Sequence, residues 1–253
     1  MRKHWLICFL FLIADTATGQ PVPLPTAAEI VARMTASDLQ RQSSIEGYEG
    51  MRRYVLENPG LEKRSEMLVR VRGDRDGTKH FEIVYEDGWK AANTHVLREM
   101  LESESEMSRA SLRAITRLNF ANYDFQVIKF EIIEDHPAYV LEIKPKRKDK
   151  YLFEGHVWVD AEDYALVRAE GTPAKSPSFW TKSTRFVQVY EKKDDLWFPR
   201  STRSVTEVRI FGVTSVSIAY FDYAPIRTNA PETPLVSLNQ VKQTSSKRQA
   251  NRR

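Results

Sequence analysis

Residues 124–144 read DFQVIKFEIIEDHPAYVLEIK, and this stretch decides the fold. Apolar and polar residues alternate through Asp124–Glu134, stop at Asp135-His136-Pro137, and alternate again over Ala138–Lys144. Successive side chains on a strand point to opposite faces, so each run reads as a strand with one apolar face. Asp and Pro between them mark a turn, and the pair predicts an antiparallel hairpin. Its apolar face carries Ile128, Phe130 and Ile132 on one strand and Tyr139, Leu141 and Ile143 on the other.

The same period extends outward in both directions. Toward the C-terminus it predicts strands over Leu152–Asp160, Leu166–Gly171, Thr184–Lys192, Ser201–Phe211 and Val213–Tyr223. Toward the N-terminus it predicts Tyr48–Asn58, Glu66–Arg72 and His80–Glu86, with turns at Asn58-Pro59-Gly60 and Asp74-Arg75-Asp76-Gly77. Further turns fall at Asp160–Asp163 and Asp194-Asp195. Two helices interrupt the pattern. Thr26-Ala-Ala-Glu29 has the spacing of a capping box, and Ile30, Val31, Met34 and Leu39 follow at helical spacing to Gln42. A second helix opens at Asn93 and runs to Arg109, with Leu97, Met100, Leu101 and Met107 on one side and Arg98, Glu99, Glu102 and Glu106 on the other. The fold class is therefore mostly β with helices (α+β). Closely spaced strands joined by short turns make one meandering antiparallel sheet, and a sheet of about ten strands curls. Curled around amphipathic helices it forms a half-barrel, with the helices covering the concave face.

The ends of the chain have a different character. Arg2, Lys3 and His4 precede an apolar run from Trp5 to Ala14 and small residues ending Ala17-Thr18-Gly19. That order is a secretory signal peptide, residues 1–19, with an apolar run too short to span a bilayer. The single cysteine, Cys8, lies inside it, so the mature chain has no disulfide, which suits a bacterial periplasm. Trp5-Leu6-Ile7 lacks the small residue expected before a lipidated cysteine. Residues 228–253 are rich in Pro, Ser, Gln, Asn and basic residues and read as a disordered tail, leaving residues 20–227 as the folded domain. The net charge of +4 belongs to that tail. Once the leader and the tail cations Lys242, Lys247, Arg248, Arg252 and Arg253 are removed, the body is slightly acidic. Nucleic-acid binding, which wants a basic face on the folded domain, is not indicated.

Enzyme signatures are missing. The chain has no His-Glu-x-x-His, Gly-x-Ser-x-Gly or phosphate-binding glycine loop. His80, His95, His136 and His156 are scattered; His95 and Glu99, one helical turn apart, read as a surface hydrogen bond before they read as metal ligands. Trp158, Trp180 and Trp197 are explained by packing in a wide sheet. No catalytic residue, metal site or cofactor is assigned.

Several segments together resemble the periplasmic lipoprotein-carrier superfamily (LolA/LolB-like), in its outer membrane lipoprotein-sorting branch. They are Ala27–Met34, Glu86-Asp87-Gly88-Trp89, Tyr139–Lys148, Val157–Asp163, Arg168–Gly171 and Leu196-Trp-Phe-Pro199, and the likeness spans residues 26–224. The resemblance implies an open half-barrel of roughly eleven strands, with helices as a lid, that binds acyl chains in its hollow without a cofactor. The chain then reads as a soluble carrier or chaperone, with an acylated lipoprotein or lipid as cargo, inner- and outer-membrane transfer partners, and only transient membrane contact. A lipid-sensing protein of the envelope-stress type, acting through a protein partner, is the alternative, and a secreted hydrolase the next.

Alternation alone does not separate a dry core from a lipid-lined hollow; under the resemblance the wall consists of Met67, Val69, Val71, Phe81, Ile83, Tyr85, Ile128, Phe130, Ile132, Tyr139, Leu141 and Ile143. Leu97, Met100, Leu101 and Met107 then form an adaptable face of the covering helix, since Met fills irregular shapes. The carriers hold this helix closed with an arginine just after the second strand, and Arg72 lies nearest that place, with Arg70 and Arg75 competing. Lys144, Lys146, Arg147, Lys148 and Lys150 crowd one hairpin turn and read as a docking patch for anionic headgroups or an acidic partner, or as a solvated loop.

Overall fold

A computed structural model describes residues 23–176, 181–209 and 212–227. The segments expected to be a leader and a tail, and Trp180, lie outside the described residues. Ten strands form a single antiparallel sheet: β1 (Gly47–Asn58), β2 (Lys63–Asp74), β3 (Lys79–Gly88), β4 (Tyr123–Ile133), β5 (His136–Pro145), β6 (Phe153–Asp160), β7 (Leu166–Pro173), β8 (Thr181–Lys193), β9 (Leu196–Val208) and β10 (Gly212–Ile226). The predicted hairpin at residues 124–144 is β4–β5, paired Phe125 to Ile143 and Ile133 to His136. The spatial order is β3-β2-β1-β10-β9-β8-β7-β6-β5-β4. Neighbours in sequence are therefore neighbours in space, except that β1 joins β10, third and fourth in the order, and β3 and β4 are the two free edges.

This order makes the β3-to-β4 connection cross the whole sheet. A flat ten-stranded sheet is about 43 Å wide, and a helix over residues 90–113 is about 36 Å long. Curling the sheet brings its edges within that reach, and the sheet is open and curled rather than closed. The crossover comprises α2 (Lys90–Ala92), a π-helical turn (Asn93–Leu97), α3 (Arg98–Ser108) and α4 (Ala110–Arg113). The sequence predicts one helix from Asn93; the observed segment starts three residues earlier and contains a π turn, which adds a residue and rephases the stripe that follows.

Each helix covers one half of the concave face. α1 (Ala27–Ser43) is capped by Thr26 and Glu29 as the sequence predicts, and buries Ile30, Val31 and Met34 against Tyr123, Leu141, Ile143 and Val157 of β4–β6. The crossover buries Ala92, Leu97 and Leu101 against Tyr54, Leu56, Met67, Val69, Val71 and Ile218 of β1, β2 and β10. Between the two clusters the sheet turns polar: Gln188 faces Thr202 and Phe186 faces Ser204 across β8 and β9. The concave face is thus two apolar halves separated by a mixed strip.

Candidate functional site

The residues expected to line a hollow divide into three groups. Met67, Val69, Val71, Leu97, Leu101, Leu141 and Ile143 are buried, and Phe81, Ile83, Met100 and Tyr139 pack partly buried against the same clusters. They sit beneath or on the covering helices and face packed side chains. Tyr85 lies elsewhere. A bulge at Val84 pairs Tyr85 with Leu68, whose neighbours Met67 and Val69 face inward, so Tyr85 emerges on the convex face. A second bulge leaves Ile128 without a cross-strand partner, and Ile128, Phe130 and Ile132 are 45%, 46% and 72% exposed along edge strand β4. Strict alternation places all of these on one wall; the bulge at Val84 moves Tyr85 off it, whereas Phe130 stays paired with Tyr139, their ring centroids 5.6 Å apart. Met107 is partly buried on α3.

The arginine that holds the crossover is Arg52 on β1, where the sequence points to Arg72. Arg72 is exposed and its Nε lies 3.5 Å from Asp74 of the same strand. Arg52 is only 2% exposed, and its guanidinium donates to both Glu104 oxygens on α3, at 2.7 and 3.2 Å. Its Nε donates to Tyr223 Oη at 2.8 Å and its Nη1 to Tyr54 Oη at 3.1 Å. The rings of Tyr220 and Phe81 lie 4.9 and 5.1 Å from the guanidinium carbon. Lys79 Nζ donates to Glu104 Oε1 at 2.7 Å. Ser105 Oγ donates to the Lys79 carbonyl, and the Lys79 amide donates to Ser108 Oγ. One turn of α3 is thereby fastened to β1 and to the start of β3.

The electrostatics of this clasp are self-consistent. Burial disfavours the Glu104 carboxylate, but Lys79 and Arg52 outweigh that cost and bring its pKa down to about 2. Burial likewise opposes charge on Arg52 and Lys79, and Glu104 outweighs it and raises both. A cation pair shares one carboxylate, which leaves one surplus positive charge.

Two adjoining cavities lie between α1 and the crossover, over the central strands. One cavity of about 390 Å³ has the aromatic cluster Tyr48, Phe198, Tyr220 and Tyr223 as its floor and Arg52, Lys79 and Glu104 in its wall. A second of about 350 Å³ is lined by Met34, Leu39, Leu118 and Leu166. Both are bordered by Asp38, Arg41, Arg117, Tyr190 and Trp197. Two glycines make room for the floor: a Cβ on Gly50 would sit 2.5 Å from the Tyr223 ring, and one on Gly73 2.2 Å from the Tyr48 ring. The arrangement combines apolar surface with fixed positive charge, the chemistry needed to hold an amphiphile.

Two members of the basic patch are committed to structure. Lys146 donates to the Phe120 carbonyl and Arg147 to Asn122 Oδ1 and the Ile115 carbonyl, tying the end of the crossover to β5. Lys144 lies 3.3 Å from Glu142, and Lys150 stands over the Tyr151 ring. Lys148 is exposed. Arg52 and Glu104 escaped the sequence reading, yet each leaves a trace: Arg52 occupies the apolar parity of Tyr54 and Leu56, and Glu104 falls on the stripe of Leu97, Leu101 and Ser108. A charge on each of two apolar faces is the signal.

Comparison with known proteins follows the same outline. Among solved structures, a DUF1329 family protein from Desulfovibrio piger matches with 14% identity over 78% of this chain and 92% of that one, at a TM-score of 0.40. An outer membrane lipoprotein-sorting protein domain from Vibrio parahaemolyticus matches with 16% identity over 83% and 96%, at 0.38. A LolA superfamily protein from Nitrosomonas europaea matches with 14% identity over 82% and 96%, at 0.36. These superpositions are loose, and the architecture rests on the strand order itself. No curated protein sequence matches. One family model does, over residues 94–223, which are 130 of the 253 residues. The match runs from Thr94 in the π turn, through the clasp residue Glu104, to Tyr223 on the cavity floor, and the chain belongs to this family, described as a family of unknown function (DUF5686).

Proposed function

We propose that the protein is a non-enzymatic lipid-binding carrier or chaperone of the periplasm, exported by its leader, that shields acyl chains beneath the crossover. The observation that carries this reading is the manner in which α3 is attached. Its apolar side, Leu101 with Met100, together with Leu97 of the π turn before it, covers one half of the concave sheet, and a charged clasp fastens one turn. Lifting α3 would uncover Met67, Val69 and Val71 beside the existing cavity. An acyl chain would then take the place of the helix side chains, so apolar surface stays covered in both states. Burying roughly 300 Å² of acyl surface at about 25 cal/mol per Å² gives about 7 kcal/mol, enough to hold cargo and still release it. The resemblance of the sequence to the lipoprotein carriers supports an acylated lipoprotein or a lipid as that cargo, handed between membrane-bound partners.

Native mass spectrometry of the full chain, exported into a bacterial periplasm and purified without detergent, tests the reading. Added lipid mass is expected, and Leu101→Asp or Met100→Asp is expected to lower its occupancy while the sheet stays folded. A clean apoprotein that takes up neither phospholipid nor acylated peptide overturns the carrier reading. Unchanged occupancy in both variants overturns the role of α3.

A further inference from the structure

The cavity between α1 and the crossover carries more cations than its own carboxylates neutralise. Its wall holds Arg41, Arg52, Lys79, Arg113 and Arg117 against Asp38 and Glu104. Glu104 is shared by Arg52 and Lys79. Arg41 donates to the Asp163 carbonyl, while the Asp163 carboxylate is taken by Lys192 and Trp197. Among the described residues neither Arg113 nor Arg117 forms a close ion pair; Arg113 lies over Gly77 and feels the nearby Asp76 carboxylate, which Thr78 also holds, while Arg117 has no such neighbour. Tyr190 borders both cavities, and its hydroxyl has no hydrogen-bond partner among the described residues. Burial pushes this phenol up to about 12, so it stays a neutral donor. Fixed positive charge in a partly enclosed wall attracts an anion more strongly than the same charge in open water. The floor, in contrast, is the stacked Tyr48–Tyr223 pair with Phe198.

A ligand that satisfies both surfaces has an apolar body and an anionic head. The size limits it further. Small-molecule sites span roughly 300–1,000 Å³, and cavities of about 390 and 350 Å³ fall at the lower end of that range. We propose that this cavity binds a single-chain amphiphile with an anionic head, its carboxylate or phosphate held by Arg113 and Arg117 and its chain laid on the Tyr48–Phe198–Tyr223 floor. This deepens the carrier reading and rests on it: it names the charge and chain number of what is carried with α3 closed.

Equilibrium binding of the full chain to three probes sharing one oleoyl chain tests the proposal: oleate, oleoyl-lysophosphatidylglycerol and neutral monoolein. At least one anionic probe is expected to bind tenfold or more tighter than monoolein, and whichever anion binds tighter identifies carboxylate or phosphate as the preferred head. Arg113→Ala/Arg117→Ala is expected to erase that preference and leave monoolein affinity unchanged. Arg117→Glu, an exposed position, gives a second variant that folds independently of the Arg113 contact and is expected to weaken anion binding at least threefold. Equal affinity for anionic and neutral probes, or a preference that survives both variants, overturns the anionic-head proposal while the carrier reading stands. Failure of all three probes to bind the wild type overturns the single-chain proposal, and the carrier reading falls with it only if phospholipid and acylated peptide also fail to bind.

Discussion

At the scale of the residue, Arg52 and Glu104 form the ion pair that fastens α3 to the sheet. Removing one partner of a buried ion pair costs more than replacing the pair, because the remaining charge is stranded. Glu104→Ala leaves Arg52 and Lys79 facing each other, and a loss of about 2–3 kcal/mol in urea unfolding is expected, at the low end for a buried pair because a third of Glu104 meets solvent. Arg52→Met keeps the stem volume between Phe81 and Tyr220 and leaves Glu104 paired with Lys79, so about 1 kcal/mol is expected. A larger loss for Arg52→Met than for Glu104→Ala would contradict this ordering. Acid acts on the same group. The folded carboxyl titrates at about 2, below its ordinary 4.5, so its contribution is complete above pH 4.5 and disappears as pH falls through 2. The stability difference between wild type and Glu104→Gln should stay level from pH 7 to pH 5 and shrink below that. Arg52 was within reach of a sequence reading as a lone charge in apolar parity, but its partner was not. Nothing in the chain between them states that residues 52 apart will meet.

Among the elements, α1 is the most local in origin. Thr26 and Glu29 satisfy each other's backbone groups, and the Ile30, Val31 and Met34 stripe needs only the helical period. Thr26→Ala should cost about 1 kcal/mol. Ile30→Ala, at a fully buried site, should cost about 3 kcal/mol, measured by urea unfolding of each variant. If Thr26→Ala costs more than Ile30→Ala, α1 is held by its cap rather than by its packing. The crossover is less legible. Its apolar stripe reads as a continuous helix, yet Asn93 donates to the Asp87 carbonyl and a π turn follows. That contact belongs to the docking of the crossover on β3, and no propensity encodes it. The same holds for the bulges at Val84, which reverses the facing of Tyr85, and at Ile128, both within otherwise regular alternation.

For the whole molecule, openness is the dominant property. An antiparallel sheet that does not close leaves two edges with unpaired backbone groups, which proteins usually cover or charge. Edge β3 is flanked by the crossover, through Lys79 to Glu104 and Glu86 to Arg98. Edge β4 instead presents Phe130 and Ile132 to solvent. Ile132→Lys, a surface change worth less than about 0.5 kcal/mol in stability, should lower concentration-dependent association in light scattering. Association unchanged by that charge would place self-contact on another surface.

The sequence by itself determined the ten strands, their hairpin turns, the capped first helix and the amphipathic crossover, because alternation, caps and turn residues act over a few neighbouring residues. Only the tertiary structure decided that β1 lies against β10, that the crossover spans the sheet from edge to edge, and that Arg52, Glu104 and Tyr223 share one site. Arg52 and Tyr223 are 171 residues apart. Their meeting depends on the curl of the finished sheet and on the desolvation that makes a buried charge seek a partner, and neither exists until the chain has folded.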